Sequence, residues 1–489
     1  MENSLDQTLS KLIKENSITG IAQDSRLVKT GDLFIAACGA KQKGHDFIVD
    51  AVEKGAKAVI YDDIDNFVVP KVKVPCVALK DLPKKISYLA GNFYGNPSKK
   101  MQVVGITGTN GKTTISQLLA QLLDLLDYKC GIIGTLGSGF YSNLDKSNNT
   151  TPNACDTQAI LASMLRKKAK ACAMEVSSHA LTQYRVEAVD FSIAVFSNLS
   201  RDHLDYHGDM SSYAAAKAKL FVGNSLTYRI VNIDDSCGKL LAVKVPARAV
   251  NSNLITYSVN NKSADVYCYS LQLTSSGISA DIIALGQKGS FNCSLLGEFN
   301  LSNLLAVIGV ALALDFSLPQ ITSKISKLVP PSGRVQKVES KGKPQVVVDY
   351  AHTPDALEQI LKALRPHTSG KLICVFGCGG DRDKGKRALM AHVSGIGADL
   401  TIVTADNSRT ESIKDIFADI KAGFRPWQSF KFIEDRGKAI EEAILSATKD
   451  DLVLIAGKGH ETYQDIAGVK HDFSDVEQAK KYLALWQKK

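Results

Sequence analysis

The stretch ITGTNGKTT, residues 106 to 114, carries the residue types of a phosphate-binding turn. Gly108 and Gly111 let backbone N–H groups close around phosphate oxygens, and the apolar helix that follows, ISQLLAQLLDLL, favours negative charge at its start. Lys112 has the reach for terminal phosphates and Thr113 offers a hydroxyl to Mg²⁺, with Thr109, Asn110 and Thr114 completing the turn. The spacing departs from a standard Walker A loop, which has four residues between its first glycine and GK; here position 106 is Ile. That argues against a small GTPase or an ordinary kinase, and leaves a structural glycine turn as the bland alternative.

Two further groups suit a hard cation held against phosphates: Glu175 in MEVSSHALTQYRV and His203 in NLSRDHLDYHG. A lone loop histidine is more often a hydrogen-bonding residue, so His203 gains weight only from its company. Lys112, Glu175, Asp349, Asp406 and His460 each follow a short apolar run (VVGI, CAM, VVV, IVT, LVLIAGKG), as ligand-binding residues do at the carboxyl ends of parallel strands. This regularity predicts a single cleft lined from several strands.

The elements that position these residues are legible from the same runs. Residues 1–99 alternate turn residues with short apolar runs and end in FYGNPSKK, which predicts a small α/β domain. Residues 100–330 follow a strand, glycine loop, helix pattern with later strands at CAMEV and SIAVFS, which predicts a mostly parallel sheet with crossover helices. Pro330, Pro331 and Gly333 interrupt both periodicities, and PQVVVDY opens a third α/β stretch of Rossmann-like type, residues 331–489.

A chain of 489 residues is too long for one ordinary core. Its net charge of +9 is dispersed, without aromatic-studded basic stretches, so an anionic small molecule suits it better than nucleic acid. The polar start MENSLDQTLSKLIKENS and the absence of an apolar run near about 18 residues predict a cytoplasmic protein with no membrane insertion. Ten scattered cysteines, none with CxxC spacing, read as reduced core residues and argue against zinc.

Taken in order, GTNGKTT, NTTP, EVSSHAL, NLSRDHLDYHG, AAK, GEFNLSN, SGR, DYAHTPD, GGDRDKGKR and AGKGHE closely resemble the Mur ligases of peptidoglycan synthesis. The likeness spans essentially the whole chain and is greatest to the branch that adds the third amino acid to UDP-N-acetylmuramoyl-L-alanyl-D-glutamate. It implies three domains, binding uridine diphosphate, ATP and the incoming amino acid in turn, and a monomer. It also implies that ATP phosphorylates a substrate carboxylate and that an amine then attacks the acyl phosphate, with the protein supplying alignment and charge neutralisation.

On this resemblance Lys112, Glu175, His203 and Lys217 are the catalytic set, and Thr113, Glu175, His203 and a carbamylated Lys217 hold Mg²⁺. A carbamate turns a cation into an anionic oxygen ligand; Lys219, two residues on, is the alternative that the AAK register disfavours. Asn300, Asn303, Arg334, Asp349 and His352 resemble the groups around adenine, ribose and phosphate, with Arg334 brought to the phosphates on closure. Ser25 and the loop from Gly39 to Gln42 resemble uridine-diphosphate contacts. Asn149, Thr150, Thr151, Ser177, Gln183 and Arg185 resemble contacts to sugar and peptide, with turn formation a competing role for the hydroxyls and amides.

The acceptor is indicated by TADNSRTES, because DNPR marks the meso-diaminopimelate enzymes of this family. Asp406, Asn407, Ser408 and Arg409 occupy that motif, and Arg409 with Arg382 supplies the cation that a distal carboxylate needs. Gly457 and Glu461 resemble the groups receiving the distal amine. Ser408 stands where the family has proline, which predicts a less preorganised loop with unchanged specificity. The competing readings are the lysine-adding branch, a folylpolyglutamate synthase, and a nucleotide switch without ligase activity.

Overall fold

In the computed structural model the described residues are 2–39, 43–147, 149–223, 225–244, 252–338 and 342–488. They form two compact units, Met1–Val266 with Leu305–Ser317, and Tyr267–Leu304 with Leu318–Lys489. The compact units cut the chain differently from composition, because residues 267–304 and 318–330 cluster with the C-terminal residues.

The first unit begins with four parallel strands, Gly20–Ala22, Asp32–Ala36, Ala58–Asp62 and Cys76–Leu79, paired in chain order. Side chains alternate between faces along each strand. Leu33, Ile35 and Ile60 therefore join Leu9, Leu12, Leu82 and Ile86 in one core, whereas Phe34, Ala36 and Val59 join Ile48 and Ala51 in the other.

The strand Gln102–Thr107 lies at the centre of the next sheet, with Ile193–Phe196 on one side and Ala171–Glu175 on the other, both parallel. The sheet continues outward to Tyr228–Asn232 and Asn253–Ser258 on the first side and to Cys130–Gly134 on the second. Chain direction around the sheet reverses at Gln102–Thr107, and such a switch point opens a crevice at the strand's carboxyl end. Gly108 begins there. These strands are buried along nearly their whole length, which explains their continuous apolar reading. The helix Glu298–Ala313 is apolar all round and correspondingly buried at Leu301, Leu304, Ile308 and Ala311.

The second unit contains a six-stranded sheet in the order Gln336–Val338, Gln345–Asp349, Leu452–Ala456, Leu372–Phe376, Leu400–Val403, Phe430–Phe432. Only its first pairing is antiparallel. Val347, Cys374 and Phe376 pack on one face with Leu357 and Met390, and Val346, Val348 and Ile373 on the other with Ile440 and Tyr482. Cysteines are free throughout the described residues, and burial raises the Cys172 and Cys374 thiols to about 12, so both behave as inert core side chains. Among the described residues no helix is long and apolar enough to cross a membrane.

Candidate active site

The glycine turn leaves its strand with Gly108 at φ +151° and enters the helix Lys112–Leu125 with Gly111 at φ +87°. A Cβ on Gly108 would stand 1.9 Å from Ser197 Oγ, so the residue must be glycine for the next strand's end to approach. That neighbour fixes the turn: Thr109 N donates to Asn198 O at 2.8 Å, Asn110 N donates to Asn198 Oδ1 at 2.9 Å, and Ser197 Oγ donates to Asn110 O at 2.5 Å. Thr109 Oγ1 lies 3.3 Å from Tyr213 Oη. Lys112 Nζ donates to the carbonyls of Gly108 and Thr109, both at 2.8 Å, which curls its stem back over the turn.

Thr113 Oγ1 donates to Glu175 Oε2 at 2.9 Å, joining the helix start to the carboxyl end of the neighbouring strand. Glu175 also accepts from Thr135 N and Thr135 Oγ1, each at 3.0 Å, and is fully buried. Lys217 and Lys219 separate sharply: Lys219 is exposed, whereas Lys217 is buried with Nζ on Gly108 O at 2.8 Å and 4.4 Å from the Tyr213 ring centre. Burial, then repulsion from Lys112, lowers the Lys217 amine to about 6.

His203 is exposed, at φ +52°, with Nε2 3.4 Å from Asp202 Oδ2. Its ring lies 5.0 Å from that of His179 and 6.1 Å from that of Tyr213, the residue that also faces Lys217. Among the described residues no three acidic, histidine or cysteine side chains form a ready cation cluster. A buried amine held neutral is the form able to react with carbon dioxide.

Apart from Asn149, the residues expected at the sugar and peptide form one connected network. Thr151 Oγ1 donates to Glu175 O at 2.9 Å and accepts from Ser177 N at 3.0 Å. Arg185 Nη1 donates to Thr151 O at 2.9 Å and Nε to Gln183 Oε1 at 2.9 Å; Thr150 Oγ1 lies 3.0 Å from Thr135 Oγ1. Thr114 is buried behind Thr113, and Asn149 is exposed. Ser25 is buried in the short helix Ser25–Leu27; Gly39 is exposed, and Ala40, Lys41 and Gln42 lie outside the described residues.

In the second unit Asn300 and Asn303 are buried and spend donors locally, Asn303 Nδ2 on Asn300 Oδ1 at 3.1 Å and Asn300 Nδ2 on Leu296 O at 2.8 Å. Arg334 stacks on the Tyr350 ring at 4.9 Å, and its buried Nε has no hydrogen-bond partner among the described residues, which suits an anion. Asp349 accepts from Val335 N at 2.8 Å and Ala351 N at 2.7 Å, and burial raises its carboxyl despite nearby Arg334. His352 is exposed, with Nδ1 2.9 Å from Tyr350 O.

Asp406, Asn407 and Ser408 are buried, and Arg409 adopts φ +50°. Arg409 Nη1 donates to Gly380 O at 2.7 Å and lies 3.4 Å from Asn407 O, on the loop that carries exposed Arg382. Asn407 Nδ2 donates to Glu461 Oε2 at 3.1 Å. Gly457, at φ +118°, lets the backbone pass Asp406, whose Oδ2 would stand 2.9 Å from a Cβ there. Sequence reasoning does not single out Thr135, Ser197, Asn198, Tyr213 or the fully buried Lys458.

A parallel-sheet crevice that closes a glycine turn over a buried acid and lysine, together with a Rossmann-like unit carrying acid, amide and guanidinium, defines the ATP-dependent amide ligase architecture. The chain belongs to the Mur ligase family and has its three-domain α/β fold. The model of the Mur ligase family catalytic domain matches residues 17–94, the Mur ligase middle domain 106–311, and the Mur ligase glutamate ligase domain 333–459.

Among curated proteins, UDP-N-acetylmuramoyl-L-alanyl-D-glutamate--2,6-diaminopimelate ligase of Pseudomonas aeruginosa is 50% identical over 487 residues, covering 100% of this chain and 99% of the relative. The protein of that name in Coxiella burnetii is 46% identical, with 98% of each covered. A solved structure of the same name is 38% identical with a TM-score of 0.73, covering 96% of this chain and 95% of its own. Folylpolyglutamate synthase of Mycobacterium tuberculosis shares the fold, at 17% identity and a TM-score of 0.61, over 76% of this chain and 92% of its own.

Proposed function

We propose that this chain joins meso-2,6-diaminopimelate to the D-glutamate carboxylate of UDP-N-acetylmuramoyl-L-alanyl-D-glutamate, using ATP, as a monomeric cytoplasmic enzyme of peptidoglycan synthesis. The observation that carries the acceptor assignment is the paired charge of one loop cluster, Arg409 against the Asn407 carbonyl, with Glu461 bonded to the Asn407 amide. A zwitterionic distal centre has one group for each sign. Full-length identity of 50% to a ligase of that name supports the same reading.

In this reading residues 1–99 hold the uridine diphosphate through Ser25, residues 100–330 hold ATP, and residues 331–489 hold the amino acid. The turn from Gly108 to Thr114 grips the phosphates, and Lys112 neutralises charge on them as a carboxylate oxygen attacks the terminal phosphorus and ADP leaves. The amine nitrogen then attacks the acyl carbon, phosphate departs, and the nitrogen loses a proton. Thr151, Ser177, Gln183 and Arg185 align the peptide, while Asn300, Asn303, Arg334, Asp349 and His352 form the adenosine and phosphate side. Thr113, Glu175, His203 and carbamylated Lys217 are the residues that would hold Mg²⁺, which supplies charge stabilisation to the transferring phosphoryl group.

The test is incorporation of labelled diaminopimelate or lysine onto the UDP-muramoyl dipeptide. Phosphate release that requires ATP, dipeptide and diaminopimelate together is expected. Preference for lysine overturns the acceptor, and nucleotide hydrolysis indifferent to both substrates overturns the ligase.

A further inference from the structure

Lys458 is the one fully buried lysine side chain of the acceptor cluster, with no exposure to solvent. Its Nζ donates to Asn407 Oδ1 at 3.0 Å, to Glu461 Oε2 at 3.2 Å and to Asp406 Oδ1 at 3.4 Å. Three donors thus reach three partners, two on the loop after the strand Leu400–Val403 and one on the loop after Leu452–Ala456. The Tyr463 ring lies 5.5 Å away.

These bonds determine the direction of every group they touch. Asn407 Oδ1 accepts from Lys458 and from Asp465 N at 2.9 Å, so its amide nitrogen must face Glu461, to which it donates at 3.1 Å. Glu461 Oε2 is occupied by Lys458 and Asn407, which turns Oε1 away from both. Arg436 is matched by Asp475 in a buried pair at 2.7 Å, and Lys458 is the buried cation bonded to both Asp406 and Glu461.

We propose that Lys458 is a positioning residue for acceptor selection: it orients Glu461 and Asn407 to meet an ammonium group of the acceptor. The inference rests on the diaminopimelate reading above. Removing Lys458 takes away the one amine bonded to both Asp406 and Glu461, so Glu461 loses its fixed direction and the ammonium loses a fixed partner. The ATP turn lies on separate elements and is unaffected.

The experiment compares wild type, Lys458→Met, Lys458→Gln and Lys458→Met/Glu461→Gln in steady-state kinetics with diaminopimelate, ATP and the UDP-dipeptide varied in turn. The expected result is a KM for diaminopimelate raised by about tenfold or more in both single variants, a tenfold change being the scale of one such polar contact. KM values for ATP and the UDP-dipeptide stay within about twofold of wild type. The double variant is expected to bind diaminopimelate no worse than Lys458→Met, because the two residues act as a unit. Lys458→Gln keeps the packing and a donor, and carries the test where the methionine variant does not fold. An unchanged diaminopimelate KM in a folded variant, equal loss in all three KM values, or failure of every variant to fold makes Lys458 merely structural and overturns the proposal. A wild type that prefers lysine would instead overturn the reading on which it rests.

Discussion

Lys217 Nζ donates to the carbonyl of Gly108 at 2.8 Å, across 109 residues of sequence, which places a buried amine on the first residue of the phosphate turn. The amine is lowered to about 6 from 10.5 by burial and then by Lys112. Between those two values the unfolded chain binds a proton on this side chain that the folded chain does not, so the free energy of unfolding rises with pH across that window. Lys217→Met is therefore expected to be more stable than wild type near pH 7, with the gain shrinking towards pH 10. The wild-type slope should exceed the variant's by about 1 kcal/mol per pH unit. Urea unfolding from pH 7 to 9 in carbon dioxide-free buffer measures it, and equal slopes refute the neutral amine. Activity should fall by at least about 100-fold in Lys217→Met and stay within about twofold in Lys219→Met.

Gly108→Ala should damage the turn twice over, through φ +151° and through a Cβ 1.9 Å from Ser197 Oγ. Destabilisation of about 2 kcal/mol or more is expected, with the KM for ATP raised about tenfold. Adding Ser197→Ala removes the oxygen but leaves the backbone strain, so part of the loss should return. Thermal unfolding of the single and double variants decides it; no recovery at all means that the contact with Ser197 is not what reserves this position for glycine.

How much of this was legible in the sequence follows from the range of each interaction. The turn and the strands are local patterns, and their elements fall where those patterns put them, whereas the compact units divide at Leu318 rather than at Pro330 and Pro331. The Lys217 register came from a motif, and burial separates it from Lys219. Direction was not legible: the spacing of Asn300 and Asn303 puts both on one helix face, yet Asn303 donates to Asn300 and Asn300 to Leu296. Thr135, Asn198 and Lys458 act through contacts tens of residues away in sequence, and no periodicity reports those.

Ser408 stands where the resemblance implies a proline, from which a looser loop is expected. Neighbouring bonds brace it from both sides. Arg409 N donates to Asp465 O at 3.0 Å, Ala467 N to Arg409 O at 2.7 Å, and Thr410 Oγ1 to Asp381 Oδ2 at 2.9 Å, while Ser408 O accepts from Glu411 N at 3.1 Å. Glu411 is itself held by buried Arg387 at 2.6 Å. Ser408→Pro should therefore stabilise by no more than about 1 kcal/mol, through the unfolded chain, and leave the diaminopimelate KM within about twofold. Steady-state kinetics check this; a KM lowered tenfold would show that the serine loop is loose after all.

Arg409 bears the sharpest test of acceptor choice. Its Nη1 is committed to Gly380 O and Asn407 O, which fixes the guanidinium plane and leaves Nε and Nη2 to meet a carboxylate in the proposed complex. Lysine has no distal carboxylate, so it would leave those donors unmatched, whereas diaminopimelate would fill them. Arg409→Met deletes the donors and their cost together. The kcat/KM for diaminopimelate should fall by about 10- to 100-fold, the scale of a lost charge-assisted hydrogen bond, while that for lysine stays level or rises. The ratio of the two rates, measured with both acceptors in one mixture, isolates the effect from any general loss of activity. A ratio unchanged by Arg409→Met places the selecting cation elsewhere, with Arg382 the residue to replace next.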